Sequence, residues 1–343
     1  MIIFGVEELH DVATRIFRAA GCDPEPTSIL VDHLIDANLA GHDSHGVQHV
    51  PAYVRGIQNG TVQPNARPAI LRETAVSALV DGKFTFGQVS ARYGTDVAIA
   101  KAKETGVAVV GVVRCTHIGR LGTYATLASR QGVILMVTIG SLQSFTAPFG
   151  GRKPVFGTNP FSFGFPASDR PDIMIDFATS AIAAGKVAVA RAKHEPVPPG
   201  SLLDKDGNPT DDPNVLFDGG MLLPFGGHKG SALAVLAALL SQVVVPAAET
   251  GGGHLQTGTF ILGIDAGIFR DPASVRRDAD HVIEQVKSVP PASGFSEVMT
   301  PGEPELRMAE RRRRDGIAIP EETWKEIQTT AQNLGVPVSR TPS

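Results

Sequence analysis

Apolar residues recur at helical spacing from the start of the chain. Leu9, Val12, Ile16, Phe17 and Ala20 share one face, and Gly21 ends the run, which predicts an amphipathic helix. A second stripe, Ile29, Leu30, His33, Leu34, Ala37 and Leu39, begins after Thr27-Ser28 and stops at Gly41, predicting another helix. Val47, Val50, Val54 and Ile57 carry the same spacing on to Gly60. Between the second and third stripes lies GHDSHGVQHVPAY, residues 41–53, crowded with histidines.

From residue 75 the texture changes. Ala91 to Thr105 reads as a helix closed by Gly106, and the β-branched run 107–114 as a strand; Leu121 to Gln131, Gly132 and VILMVTIG repeat the plan. Helix, glycine and apolar strand, twice over, predict an α/β layering with strands covered on both faces. A Gly/Pro-rich stretch (147–166), a short strand IMIDFA (173–178) and a polar loop (197–214) follow. An apolar helix entered through GGHKG, a strand in GTFILGIDAGIF and an amphipathic helix opening at Asp271-Pro272 come next. Trp324, Ile327, Ala331 and Leu334 mark a last helix that closes at Gly335. Helical termini around an α/β middle predict a helical domain of residues 1–72 with 300–343 and an α/β domain of residues 73–299.

Composition narrows the partners. The 343 residues, 42% hydrophobic and 19% charged, suffice for a sizeable core. A net charge of −4 provides no general attraction to nucleic acid or an anionic membrane surface. The arginine run Arg311 to Arg314 follows several glutamates, which suggests a solvated helix face or a subunit contact. Cys22 and Cys115 stand far apart without ligand spacing, as suits a reducing compartment. No apolar run approaches the ~20 residues needed to cross a bilayer, so a cytoplasmic protein is expected.

Three stretches could carry chemistry. In GHDSHGVQHVPAY, His42, His45 and His49 could bind a metal for a hydrolase or lyase, although Gly41 and Gly46 interrupt the helix and no further ligand set accompanies them. The adjacent Ser44-His45 instead fit hydrogen bonding and proton transfer to a small oxygen-bearing substrate, and a polar loop is the third reading. In CTHIGRLG (115–122), at the end of a strand, His117 could move a proton and Arg120 could grip a carboxylate bidentately; a capped loop with a solvated arginine is the alternative. No GxGxxG or GxxxxGK[ST] occurs, so a Rossmann or P-loop site is not expected. Turns at 157–160, 176–180 and 226–230 nevertheless look able to bring backbone close to a ligand. The last joins a helix N-terminus to Lys229, which favours an anion.

Taken in order, GHDSHGV with P-x-Y-V, HIGRLG, APFGG-x-x-P-x-x-GTNP, DFATS-x-x-A-x-GKV, GGHKG and PGEPE-x-R make the chain resemble the malate/L-lactate dehydrogenase family, which is distinct from the Rossmann-fold lactate and malate enzymes. The HIGRLG and AGHDSHG versions look most like its hydroxycarboxylate dehydrogenase subgroup. The resemblance implies a non-Rossmann mixed-sheet nucleotide domain layered with helices, NAD or NADP as cofactor, and a homodimer that interconverts a small 2-hydroxy acid and its 2-oxo acid. It implies no metal, and His45 or His117 as the acid/base, with Ser44 and Tyr53 binding substrate. Asp176, Phe177, Ala178, Thr179, Ser180, His228, Lys229, Gly230, Gly302 and Glu303 would hold the dinucleotide. Two positions depart from the pattern: His49 stands where many members carry arginine, making Arg120 the expected carboxylate partner, and TIGSLQSF (138–145) replaces a common Asn-containing stretch, leaving NAD or NADP open. A cyclic imino acid reductase is the alternative within the family, and a ligand-binding protein without turnover lies outside it.

Overall fold

The computed structural model describes residues 1–142, 145–245 and 258–338; His254, and Gln143 and Ser144 of TIGSLQSF, lie outside the described residues. The first strand, β1 (Ile2–Phe4), leads into α1 (Val6–Ala19) and α2 (Pro24–Leu39). The chain reverses after α1 at Gly21, whose φ of 89° needs no Cβ penalty to be met. Two single 3₁₀ turns, Asp43–His45 and Val47–His49, then precede α3 (Val50–Gln58). The apolar stripe from Val47 is thus helical only from Val50. Gly46 is extended (φ −91°, ψ −152°) and separates the turns, and Pro51, lacking an N–H, fits only a first helical turn.

Next come β2 (Ala69–Glu73), β3 (Ser77–Asp81), α4 (Gly87–Thr105), β4 (Val107–Val113), α5 (Gly122–Ser129), β5 (Val133–Ile139), β6 (Phe161–Phe165) and β7 (Ile173–Phe177). α6 (Ala184–Lys193), β8 (Leu202–Leu203), β9 (Pro209–Thr210) and β10 (Met221–Leu222) follow, then α7 (His228–Ala238), continued by a π-helical turn at Leu239–Val244. β11 (Thr259–Asp265), α8 (Pro272–Lys287), α9 (Glu303–Asp315), β12 (Ile317–Ile319) and α10 (Glu321–Asn333) complete the described chain. No helix of the described residues is long and apolar enough to cross a membrane.

The main sheet has strand order β2-β3-β4-β11-β5-β6-β7 among the described residues. Only the β3–β4 pair is parallel; β11 inserts antiparallel between β4 and β5. The repeated helix-strand plan therefore does not give a parallel sheet. One face is closed by α4 and α5 over Val110, Val112, Leu135, Val137 and Ile261, all fully buried. On the other face Val113 and Phe260 are buried with Val245 of the turn after α7, while Leu79, Val109, Met136 and Leu262 are half-buried, so among the described residues that face is covered only in part. The polar loop expected at 197–214 contains β8 and β9, which form a small three-stranded sheet with β10. Strands of two residues leave no periodicity to read.

The terminal segments share a core. Phe4, Leu9, Ile16, Phe17, Leu30 and Leu34 pack with Ile317, Trp324, Ile327 and Ala331, and β1 pairs antiparallel with β12. Each fully buried large side chain there contributes about 1.5–3 kcal/mol. Phe86 and Val89, at the start of α4, enter the same core, which fixes the sheet-side loops against α2 and α3.

Candidate active site

The histidine-rich turn is held from two sides. Asn38, near the end of α2, accepts the Val47 N–H at 2.8 Å and donates to Asp43 at 2.7 Å. A Cβ on Gly46 would sit 2.1 Å from the Asn38 Oδ1, so only glycine lets the turn close on this side chain. From α9, Arg312 donates to both Asp43 carboxylate oxygens at 2.6 and 2.9 Å and to the Asn38 carbonyl. Arg312 is largely buried in this contact, which corrects the expectation that the whole arginine run is a solvated face or a subunit contact.

The turn presents its rings to the loop after β4. His45 and His117 rings stack at 5.7 Å, His49 lies 4.9 Å from His117, and Tyr53 stacks on His49 at 5.3 Å. A Cβ on Gly87 would sit 2.2 Å from the His117 carbonyl, so α4 starts directly against this loop. Gln88, one residue on and buried, donates to the Tyr53 hydroxyl at 2.7 Å. That oxygen also lies 2.7 Å from His117 Nδ1; where it donates its proton there, the neutral His117 carries its hydrogen on Nε2. His49 Nε2 donates to the Ser44 carbonyl at 2.8 Å, while the Ser44 hydroxyl lies 2.9 Å from His45 Nδ1.

These rings are neutral at rest. Burial, helped by the neighbouring His49, His42 and Arg120, pushes the His45 imidazolium down to about 4. Burial also lowers His49, against the opposing pull of the Ser44 carbonyl. His117 is exposed on the wall of the site yet ringed by protein, and this enclosure together with His49 and His45 lowers it too. Burial raises Tyr53, opposed by the Gln88 hydrogen bond, so the phenol stays protonated.

Of the three histidines that could have shared a metal, each turns to a different partner: His42 to Glu305 at 3.5 Å, His45 to the Ser44 hydroxyl and His49 to the Ser44 carbonyl. Among the described residues no group of three or more His, Cys, Asp or Glu side chains could hold a metal ion.

The Arg120 side chain is 5% exposed, with Nη1 donating to Asp36 at 3.2 Å and Nη2 directed at the Met174 sulfur at 3.7 Å. A guanidinium carried inside needs a carboxylate, and Asp36 on α2 supplies it. The backbone N–H of Arg120 donates to His33 Nε2 at 2.9 Å. Burial holds His33 neutral, well below its ordinary range, despite Asp36 beside it. Sequence reasoning did not single out Gln88, Asp36 or a role for His33; all three lie on helices as ordinary polar positions with no motif around them.

The glycine-built turns converge on one another and on α7. Thr179 donates backbone N–H and hydroxyl to the Thr158 carbonyl, and its own carbonyl accepts the Phe225 N–H at 3.0 Å. Asn159 ties Ser141 N–H to the Ala234 carbonyl of α7. Cβ atoms on Gly140 and Gly230 would lie 2.2 and 2.3 Å from backbone of α7 and Phe225, so the segments approach as closely as glycine permits. α7 starts after two left-handed glycines, Gly226 and Gly227, with no side-chain cap and with His228 and Lys229 exposed. An uncapped helix start beside a lysine fits a phosphate of a dinucleotide.

The side chains of Thr179 and Ser180 are spent within the loop. Phe177 packs edge-on to Phe225 at 5.7 Å, and Ala178 joins it to Thr179. Asp176 faces the other way: it accepts the Gly122 N–H at 2.7 Å near Arg120, and burial raises its carboxyl. Gly302 abuts Met174, while Glu303 is tied by Lys287 at 2.6 Å and by Arg307, which hold its carboxyl down to about 2. The two halves of the site meet at α6, where a Cβ on Gly185 would lie 3.0 Å from the Ser44 Cβ.

Residues 4–328 match the family model described as malate/L-lactate dehydrogenase. Hydroxycarboxylate dehydrogenase B of Escherichia coli K12 is 35% identical over 97% of this chain and 95% of its own. A Delta(1)-pyrroline-2-carboxylate/Delta(1)-piperideine-2-carboxylate reductase of Pseudomonas putida is 32% identical over 96% of each. The solved sulfolactate dehydrogenase of Methanocaldococcus jannaschii superposes with a TM-score of 0.90 at 32% identity, covering 98% of both chains.

Proposed function

The chain belongs to the malate/L-lactate dehydrogenase family, and on that premise we propose that it is a pyridine-nucleotide-dependent oxidoreductase interconverting a small 2-hydroxy acid and its 2-oxo acid, with His45 as proton carrier. The observation that carries this reading is the meeting of His45, His117 and Tyr53 beside turns that fit a dinucleotide.

When bound, the nicotinamide supplies or accepts the hydride. The turns at 157–160, 177–180 and 226–230 would hold it, with Lys229 and the start of α7 at a phosphate. His117, its Nδ1 occupied by the Tyr53 hydroxyl, offers Nε2–H to the carbonyl oxygen; giving that hydrogen up would leave an anionic ring, so it serves as a hydrogen-bond donor. His45 Nδ1 faces the Ser44 hydroxyl, which can donate to a neutral ring or accept from a cationic one, whereas the Tyr53 hydroxyl on His117 Nδ1 is also held by Gln88. The ring can therefore hold a proton and release it from Nε2 to the substrate oxygen. Ser44 and His49 bound the same space. Arg120, engaged by Asp36 through Nη1, would hold the loop on α2.

Following NADH and NADPH absorbance with the 2-oxo acids of lactate, malate and sulfolactate tests the proposal. Absence of oxidation with all of them would refute it for these substrates. Cyclic imino acids belong in the same panel because of the reductase relative; turnover of these alone would favour the second reading, in which the proton goes to a ring nitrogen. A homodimer is part of the proposal, since Val282, Val286 and Val289 on and just past α8 are exposed and suit cover by a second copy; sedimentation velocity checks it.

A further inference from the structure

Left-handed backbone is unfavourable for any residue that carries a Cβ. Among the described residues Lys83, Phe84 and Arg114 adopt it, with φ of 49°, 56° and 48°, and Asn159 and His194 do so elsewhere. The first three crowd into one place, the loops that leave the C-terminal ends of β3 and β4, the parallel pair of the main sheet. His117 stands three residues beyond Arg114, and Gln88 four beyond Phe84. Strain of this kind persists only where the surroundings over-determine it.

One carboxylate does so for both loops. Asp81, the last residue of β3, takes the Lys83 N–H at 2.8 Å and the Arg114 Nε at 2.7 Å on one oxygen, and Arg114 Nη2 on the other. Its side chain is 3% exposed and that of Arg114 is 42% exposed, so a guanidinium at the surface neutralises a carboxylate carried inside. The backbone repeats the link: the Arg114 carbonyl accepts the Phe84 N–H at 2.9 Å, and the Val113 carbonyl accepts the Gly82 N–H at 2.8 Å. A Cβ on Gly82 would lie 2.8 Å from the Arg114 carbonyl oxygen, so the loops approach as closely as glycine permits. Further along, the Thr116 hydroxyl donates to the Thr85 carbonyl at 3.0 Å and accepts the Gly87 N–H at 2.8 Å. One loop thus delivers Gln88 and the other His117, and the Tyr53 hydroxyl meets both at 2.7 Å.

Resting on the reading above, in which His117 meets the substrate oxygen, we propose that the Asp81–Arg114 ion pair is a positioning device for the reaction. It clamps two strained loops together so that His117 and Gln88 keep their spacing around the Tyr53 hydroxyl, and its members act through His117 rather than on the substrate. The fold leans on the pair far less. Phe86 and Val89 anchor the start of α4 in the terminal core, and the β3–β4 ladder from Ser77 to Asp81 is made by backbone. Without Arg114, water takes the place of a guanidinium that was already half-exposed, and the left-handed residues relax toward commoner conformations. The loops then loosen where His117 is carried.

The test uses the full chain with whichever 2-oxo acid and reduced dinucleotide the wild type turns over. Arg114→Gly removes the guanidinium and the left-handed penalty together. Its kcat should fall about tenfold or more, since a misplacement of about 1 Å suffices, with KM for both substrates within about twofold and the urea midpoint little changed. Asp81→Asn should lose a similar factor, and the double variant no more than the worse single one, because the two act as a unit. Arg114→Lys keeps the charge without the planar fork and should fall between wild type and Arg114→Gly. In protein labelled with 15N-histidine, the His117 ring resonances, assigned by their absence in His117→Gln, should move in Arg114→Gly. Should Asp81→Asn not fold, the two Arg114 variants decide. Full kcat in Arg114→Gly, a loss confined to KM, losses that multiply in the double variant, or unmoved His117 resonances overturn the inference. If any of these is seen while the wild type reduces a 2-oxo acid, the proposed function stands and the positioning role falls; if the wild type reduces none, both fall.

Discussion

Arg312 on α9 grips Asp43 in the histidine turn through both carboxylate oxygens, 269 residues away in sequence. α9 thereby sets the angle at which Ser44 and His45 are offered. Arg312→Ala removes three charge-assisted hydrogen bonds and should cost about 2 kcal/mol of stability, discounted because Asp43 is partly solvated. Urea unfolding would read the loss, and kcat/KM should fall with it. A variant with unaltered midpoint and activity would show that the clamp is dispensable.

Replacing either histidine should separate their roles. His45→Ala and His117→Ala are each expected to lower kcat by about 10²-fold or more, as for loss of a positioned proton carrier or oxyanion donor. If His45 carries the proton, only its loss should remove the corresponding limb of the pH–rate profile; retention of that limb in His45→Ala would assign the proton elsewhere.

Gln88 touches the chemistry only through Tyr53. Its Oε1 has no partner in the fold, so Gln88→Leu gives up a single donor and should leave stability nearly unchanged. Freed from Gln88, Tyr53 no longer has to direct its proton to His117, and kcat should fall by about tenfold, the order expected for one hydrogen bond in free energy. Gln88→Glu, which turns the hydroxyl the other way, should not rescue it. Full activity in Gln88→Leu would exclude this positioning role.

Lys229 stands exposed at the start of α7. Lys229→Ala should fold normally and weaken dinucleotide binding by about tenfold, the equivalent of one exposed charge contact. Quenching of intrinsic fluorescence by the dinucleotide would follow it, and an unchanged Kd would move the phosphate away from this helix.

Buried neutral histidines make the fold acid-sensitive. Unfolded, these side chains take up a proton near pH 6.5, whereas His45 in the fold does so only near 4 and His33 well below its ordinary value. Their folded values are depressed, so the stability they contribute is present above about pH 6.5 and is lost as pH falls below it, by up to about 1.4 kcal/mol per pH unit for each. His33→Gln, which can still accept the Arg120 N–H, should flatten the fall of the urea midpoint between about pH 6.5 and 5. A midpoint whose slope is the same in both proteins would exclude His33 as a source.

The stripes of α1 and α2 and the stops at Gly21 and Gly106 were legible in the residues themselves, because helical periodicity and left-handed glycines are local properties. The recognisable motifs also carried the family. What no local pattern held was decided by packing across the chain. β11 enters between β4 and β5, though it follows both in sequence. Asp36, 84 residues from Arg120, pairs with its guanidinium. Gln88 and Tyr53, 35 residues apart, meet beside His117 Nδ1. A hydrogen bond depends on an approach of about 3 Å and on direction, and for residues tens of positions apart only the folded backbone supplies either.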